Sequence, residues 1–344
     1  MYFLLFADVL STGVCYGLLG DDLPPPEEVI ALYNSKNIPS MRLYNPNQGA
    51  LQALNGSGIQ LIVGVPNEQL QSFATDQNVV VEWVQTNVIS HYPAVNFRYI
   101  AVGNEVIPGD LAPFVLPAMA NLQGALIVAG LENQIKVSTA VAVGVLGVSY
   151  PPSSGEFSSA SLPFLAQISQ FLSATGAPLL VNTYPYFAYA GDPTNIPLDY
   201  ALFTASGPVV ADGPFQYQNL FDAMVDAIYS ALEKLGENTI VVVVSESGWP
   251  SAGGVGATVE NAATYNSNLL KHVGQGTPKR PAAIEAYLFA MFNEGQKQAG
   301  IERNWGLFYP NKIHPSDVVA VETDVIKKKQ KLKPLPAVEG KLKH

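Results

Sequence analysis

The sequence predicts an α/β protein, a (β/α)8 TIM barrel built as a single domain. Short β-rich apolar runs alternate with helical stretches, and the alternation repeats eight times. Each run is almost continuously apolar, as strands buried on both faces should be. No long linker interrupts the rhythm, and 344 residues at 48% hydrophobic supply one large core. A doubly wound sheet would carry a Gly-rich phosphate turn after its first strand, whereas the turn here is YGLLGDD.

The first run is expected over residues 12–16, followed by a helix opening after Pro24-Pro25-Pro26 with Glu27 and Glu28 in its first turn. Runs two and three cover 41–44 and 59–65, with helices reaching to 55 and to 89. Run four covers 97–106 and leads to a helix over 111–131. Run five covers 135–141, then a Gly/Pro/Ser-rich loop and a helix over 161–174. Run six covers 178–187, followed by a long loop and a helix over 218–235. Run seven covers 239–246, with a helix over 259–273, and run eight covers 283–292.

Both ends depart from this rhythm. Residues 1–10 read as a truncated leader, apolar but without a basic flank or cleavage site. The barrel is expected over 11–312. Residues 313–344 form a Lys-rich tail expected to be disordered, with seven Lys and one acid after position 326.

The net charge of −10 argues against a nucleic-acid partner, because phosphate binding needs a basic surface. No apolar run is long enough to span a membrane. The single cysteine, Cys15, allows no intramolecular disulfide and reads as a buried small hydrophobe. The histidines at 91, 272, 314 and 344 show no ligand spacing, so neither a metal nor a cofactor is expected. Asn55-Gly56-Ser57 is a glycosylation sequon, meaningful if the chain enters the secretory route.

Catalytic groups of a (β/α)8 enzyme project from the C-terminal ends of the strands. Glu105 in VGNEV and Glu246 in VVVVSESGWP sit at such ends, on the fourth and seventh runs. A carboxylate closing a buried strand is expensive to desolvate unless it is paired or functional. Facing each other across the barrel mouth, two carboxyl groups can cleave a glycosidic bond. One protonates the leaving oxygen and the other attacks or stabilises the anomeric carbon.

The segments VCYG, MRLYNPN, LIVGVPN, YIAVGNEV, LLVNTYPYF, VVVSESGWPS, YLFAMFNE and WGLFYPN, in this order, resemble plant glycoside hydrolase family 17 over residues 11–311. That family comprises endo-1,3-β-glucanases and their 1,3-1,4-β-glucanase relatives. The resemblance implies that Glu105 is the general acid/base and Glu246 the nucleophile of a retaining double displacement. It matches Glu285 and Glu294 to acidic groups lining the cleft, with Lys297 nearby, as support that orients Glu246. Tyr44, Tyr184, Phe187 and Phe292 fall at strand ends, where aromatic faces can stack on sugar rings, and Asn104 and Asn182 are placed to bond sugar hydroxyls. Trp249 reads as a packing wall.

The implied substrate is a 1,3-β-glucan polysaccharide, handled by a monomer that is secreted or vacuolar and serves plant defence or wall remodelling. A mixed-linkage 1,3-1,4-β-glucanase uses the same machinery. A non-catalytic glucan-binding or storage protein is the third reading, and retention of both Glu105 and Glu246 argues against it.

Overall fold

The computed structural model describes residues 12–315. The leader and most of the tail considered above lie outside those residues.

Eight parallel strands close into a barrel: β1 (Thr12–Cys15), β2 (Ser40–Leu43), β3 (Gln60–Val65), β4 (Asn96–Asn104), β5 (Lys136–Ala142), β6 (Leu179–Asn182), β7 (Val242–Ser247) and β8 (Ala286–Leu288). Each strand pairs with its sequence neighbours, and β1 closes onto β8. The strands are buried along nearly their whole length, which explains the unbroken apolar runs.

Among the described residues ten α-helices accompany them: α1 (Pro26–Ser35), α2 (Gln48–Leu54), α3 (Leu70–Thr75), α4 (Gln77–Val84), α5 (Ala112–Val128), α6 (Leu162–Thr175), α7 (Pro185–Gly191), α8 (Leu198–Ala201), α9 (Leu220–Lys234) and α10 (Val259–His272). Their starts follow local chemistry. Pro26 opens α1, with Glu27 and Glu28 near the positive end of its dipole. Asn47, Asn219 and Thr258 cap α2, α9 and α10, each accepting a backbone N–H with its side-chain oxygen. Gly176 ends α6 in the left-handed conformation.

Two strands fall far short of their apolar runs. β6 stops at Asn182, because Pro185 starts α7 and turns Tyr186 and Phe187 into a helix. β8 covers only Ala286–Leu288, and the chain continues irregularly to an isolated bridge between Phe292 and Phe308. The loop after β5 contains an antiparallel hairpin pairing Leu146–Val148 with Glu156–Phe157. The loop before α9 holds α8 and a second hairpin, Val210–Asp212 with Phe215–Tyr217.

Cys15 is fully buried, its thiol donating to the Ser245 carbonyl at 3.4 Å. Burial, with the nearby Glu246 charge, pushes that thiol up to about 12. Trp249 is buried between Tyr186 and Tyr265 and donates its indole N–H to the Gly256 carbonyl. None of the helices among the described residues is long and apolar enough to cross a membrane.

Candidate active site

The C-terminal ends of the strands surround a cleft of about 730 Å³ whose lining includes Glu105 and Glu246. Each carboxylate is aimed by an irregularity in its strand. The register of β4 shifts between Ala101 and Asn104, where Gly103 has φ +75° and Glu105 itself φ +55°. A left-handed glutamate costs about 1–2 kcal/mol, so neighbouring bonds must hold it. One of them runs from the Glu105 N–H to the Ala140 carbonyl at 2.9 Å. β7 carries a similar shift between Val244 and Glu246 against β6, and such bulges re-aim side chains at barrel rims.

Glu246 is only 6% exposed. Its Oε1 accepts from the Arg42 guanidinium at 2.8 Å and the Tyr44 hydroxyl at 2.9 Å. Its Oε2 accepts from the Tyr184 hydroxyl at 2.6 Å. Three donors, one of them cationic, fix the position of this carboxylate. Arg42, from β2, is 1% exposed and balances its buried charge against Glu246. Its remaining donors reach the Ser245 carbonyl and the side-chain oxygens of Asn182 and Asn104.

Glu105 opens into the cleft and makes no ion pair among the described residues, the Arg42 charge reaching it only from beyond contact distance. The surrounding walls desolvate it, and the Glu246 charge opposes its ionisation, so its pKa rises above the ordinary carboxyl value. The Asn182 amide donates to Glu105 Oε1 at 2.8 Å and pulls the other way. The oxygen of the same amide accepts from Arg42 and from the Ser245 hydroxyl. Asn182 therefore joins the two carboxylates through Arg42, rather than lying open to sugar hydroxyls as expected. Asn104 lines the cleft and accepts from Arg42 and Asn182 with its side-chain oxygen, and its backbone N–H donates to Asn67.

Two further expectations need correction. Glu285 precedes β8 and lies at the opposite mouth of the barrel, where it binds Arg98, Tyr99 and Tyr287. Because the strand begins only at Ala286, position 285 falls at its start rather than within it, remote from the strand ends. Phe292 is buried and packs edge-on against Tyr16, outside the cleft. Tyr44 and Tyr184 line the cleft, and their hydroxyls donate to Glu246.

Glu294 and Lys297 do line the cleft, paired with each other at 3.0 Å. The Leu19 N–H also donates to Glu294, and Gly17 leaves the space it needs, since a Cβ there would stand 2.3 Å from a Glu294 oxygen. Phe187 is 47% exposed at the cleft and packs against Tyr184 and Trp305. Trp305, Phe289 and Glu302 complete this wall. Among the described residues no group of three His, Cys, Asp or Glu side chains could hold a metal ion.

Arg42 escaped the sequence reading, although a signal was present. A charged residue inside the apolar run MRLY raises the same desolvation question as a glutamate ending a strand. Trp305 and Glu302 lie beyond the eighth strand in an irregular segment, where no periodicity points to them.

A glucan endo-1,3-beta-glucosidase of Vitis vinifera is 57% identical over 307 residues, covering 88% of this chain and 89% of that relative. Lichenase-2 of Hordeum vulgare is 52% identical over 306 residues, covering 89% and 97% respectively. A solved structure, one of two plant beta-glucan endohydrolases with distinct substrate specificities, superposes with a TM-score of 0.86 at 51% identity, covering 88% of this chain and 98% of that one. The profile of glycosyl hydrolases family 17 matches residues 12–318, and the chain belongs to that family.

Proposed function

We propose that this glycoside hydrolase cleaves internal 1,3-β-D-glucosidic linkages of 1,3-β-glucans such as callose, fungal wall glucan or laminarin, with retention of configuration. The observation that carries the reading is the contrast between two carboxylates joined by one asparagine. Glu246 is held by a guanidinium and two phenols, while burial and the Glu246 charge raise the pKa of Glu105 more than Asn182 and the Arg42 charge lower it. Such unequal environments suit a nucleophile and a general acid.

In the proposed first step Glu105 gives its proton to the leaving glycosidic oxygen while Glu246 attacks the anomeric carbon. A glycosyl-enzyme forms and the shortened glucan leaves with a new hydroxyl. Loss of the proton leaves Glu105 a base, which takes a proton from water as that water attacks the same carbon and frees Glu246. The Tyr44 and Tyr184 hydroxyls lie on the two oxygens of Glu246, so they orient it for attack.

The mixed-linkage reading keeps support from the Hordeum vulgare relative, which is named a lichenase and matches over nearly its full length. Laminarin and barley-type mixed-linkage glucan, assayed in parallel for reducing ends and product lengths, separate the two. Short oligosaccharides from laminarin support the 1,3 assignment, and release from the mixed-linkage glucan alone overturns it. NMR of the first-formed anomer tests retention, and an initial α-anomer would rule it out. The chain is proposed to act as a monomer, outside the cell or in the vacuole, in defence or wall remodelling.

A further inference from the structure

We propose that Asn55 carries an N-linked glycan, at a position that leaves the catalytic cleft open. Asn55-Gly56-Ser57 is the only Asn-X-Ser/Thr triplet, with X other than Pro, in the 344-residue sequence. Asn55 is the exposed C-cap of α2, and its side-chain amide makes no hydrogen bond among the described residues. Gly56 follows with φ +68°, and its N–H is tied to the Ala94 carbonyl at 2.8 Å, which fixes the turn. A Cβ built on Gly56 or Gly58 would meet nothing within 4 Å, so space around the turn is open on that side. Among the described residues the Ser57 hydroxyl oxygen accepts only the Ile59 N–H, at 3.2 Å.

The placement matters as much as the exposure. This turn enters β3 at its N-terminal end, where Gln60 lines the mouth of the barrel together with Arg98 and Glu285. Glu105 and Glu246 stand at the opposite ends of the strands, so a glycan on Asn55 extends away from bound polysaccharide. In the transfer, Asn55 Nδ2 bonds to C1 of the first N-acetylglucosamine of a lipid-diphosphate-linked oligosaccharide. The C1–O bond to phosphate breaks, the lipid diphosphate departs, and the amide loses one proton.

The inference rests on the secretory route proposed above, so the test supplies that route. The chain is expressed behind a secretory leader in a eukaryotic host, and protein from the medium is treated with peptide N-glycosidase. A loss of mass with conversion of Asn55 to Asp is expected, and Asn55→Gln should remove the shift. Laminarin turnover should be equal for the glycosylated, deglycosylated and Asn55→Gln forms. Unmodified Asn55 in the secreted protein would overturn the site, and turnover that rises on deglycosylation would overturn its placement. Inactivity of all three forms would count against the proposed function, and the mass shift would still decide the fate of Asn55.

Discussion

Glu246 receives three hydrogen bonds, from Arg42, Tyr44 and Tyr184, before any substrate arrives. Replacing it by Gln keeps the shape and removes the nucleophile. Turnover of Glu246→Gln should fall by several orders of magnitude while the circular dichroism spectrum and laminarin binding stay as in the parent. Glu105→Gln should behave differently, because a substrate with a good leaving group needs no acid in the first step. Aryl β-glucosides with acidic phenols should therefore form the glycosyl-enzyme readily, and equal losses on activated and natural substrates would sink the acid role. The pH dependence has a definite sign. The acid must be protonated, so kcat/KM should fall as pH rises through the raised pKa of Glu105. Asn182 lowers that pKa by donating to the ionised form, so Asn182→Ala should move the alkaline limb to higher pH in a pH–rate profile. An unmoved limb would mean the amide only fills space.

At the scale of elements, bulges and short strands aim the site. β4 and β7 each slip register next to their glutamate, and β6 ends where Pro185 begins a helix. α9 contributes differently, through two buried acids on one helix. Asp226 is fully buried and accepts from the Thr277 hydroxyl and the Lys279 N–H, which pins the segment between α10 and β8 onto the helix. Burial pushes Asp226 up to about 6 from 3.8, despite those donors. The folded state therefore holds this proton more tightly than the unfolded chain. The resulting stability is present below about pH 4 and lost as pH rises through about 6, worth about 2–3 kcal/mol. Chemical denaturation from pH 4 to 7 should show that slope in the parent and a flatter one in Asp226→Asn. The eight strands were legible as apolar runs, but their ends were not. Apolar residues such as Phe187 and Phe292 continue the run after the pairing has stopped, and local pattern carries no record of where a neighbouring strand ends.

For the molecule as a whole, closure of the barrel places strands four and seven at one mouth and the Arg98–Glu285 pair at the other. Among the described residues the cleft lining runs from Tyr16 to Trp305, and the barrel closes between Thr12 and Leu288. Removing residues 316–344 should accordingly leave laminarin turnover unchanged. A folded but inactive product would show that the segment serves the cleft. The sequence by itself determined the fold class, the order of the strands and the two strand-end carboxylates, because burial writes apolar runs locally and a charge at their ends stands out. It did not determine which polar groups those carboxylates meet. Arg42 and Glu246 are 204 positions apart, and Asn182 and Glu105 are 77 apart. Glu285, only nine positions before Glu294, is sent to the other mouth by the direction of its strand. Partners of a buried charge are chosen by closure of the barrel and by bulges that rotate single side chains, and these are properties of the whole sheet, not of any segment.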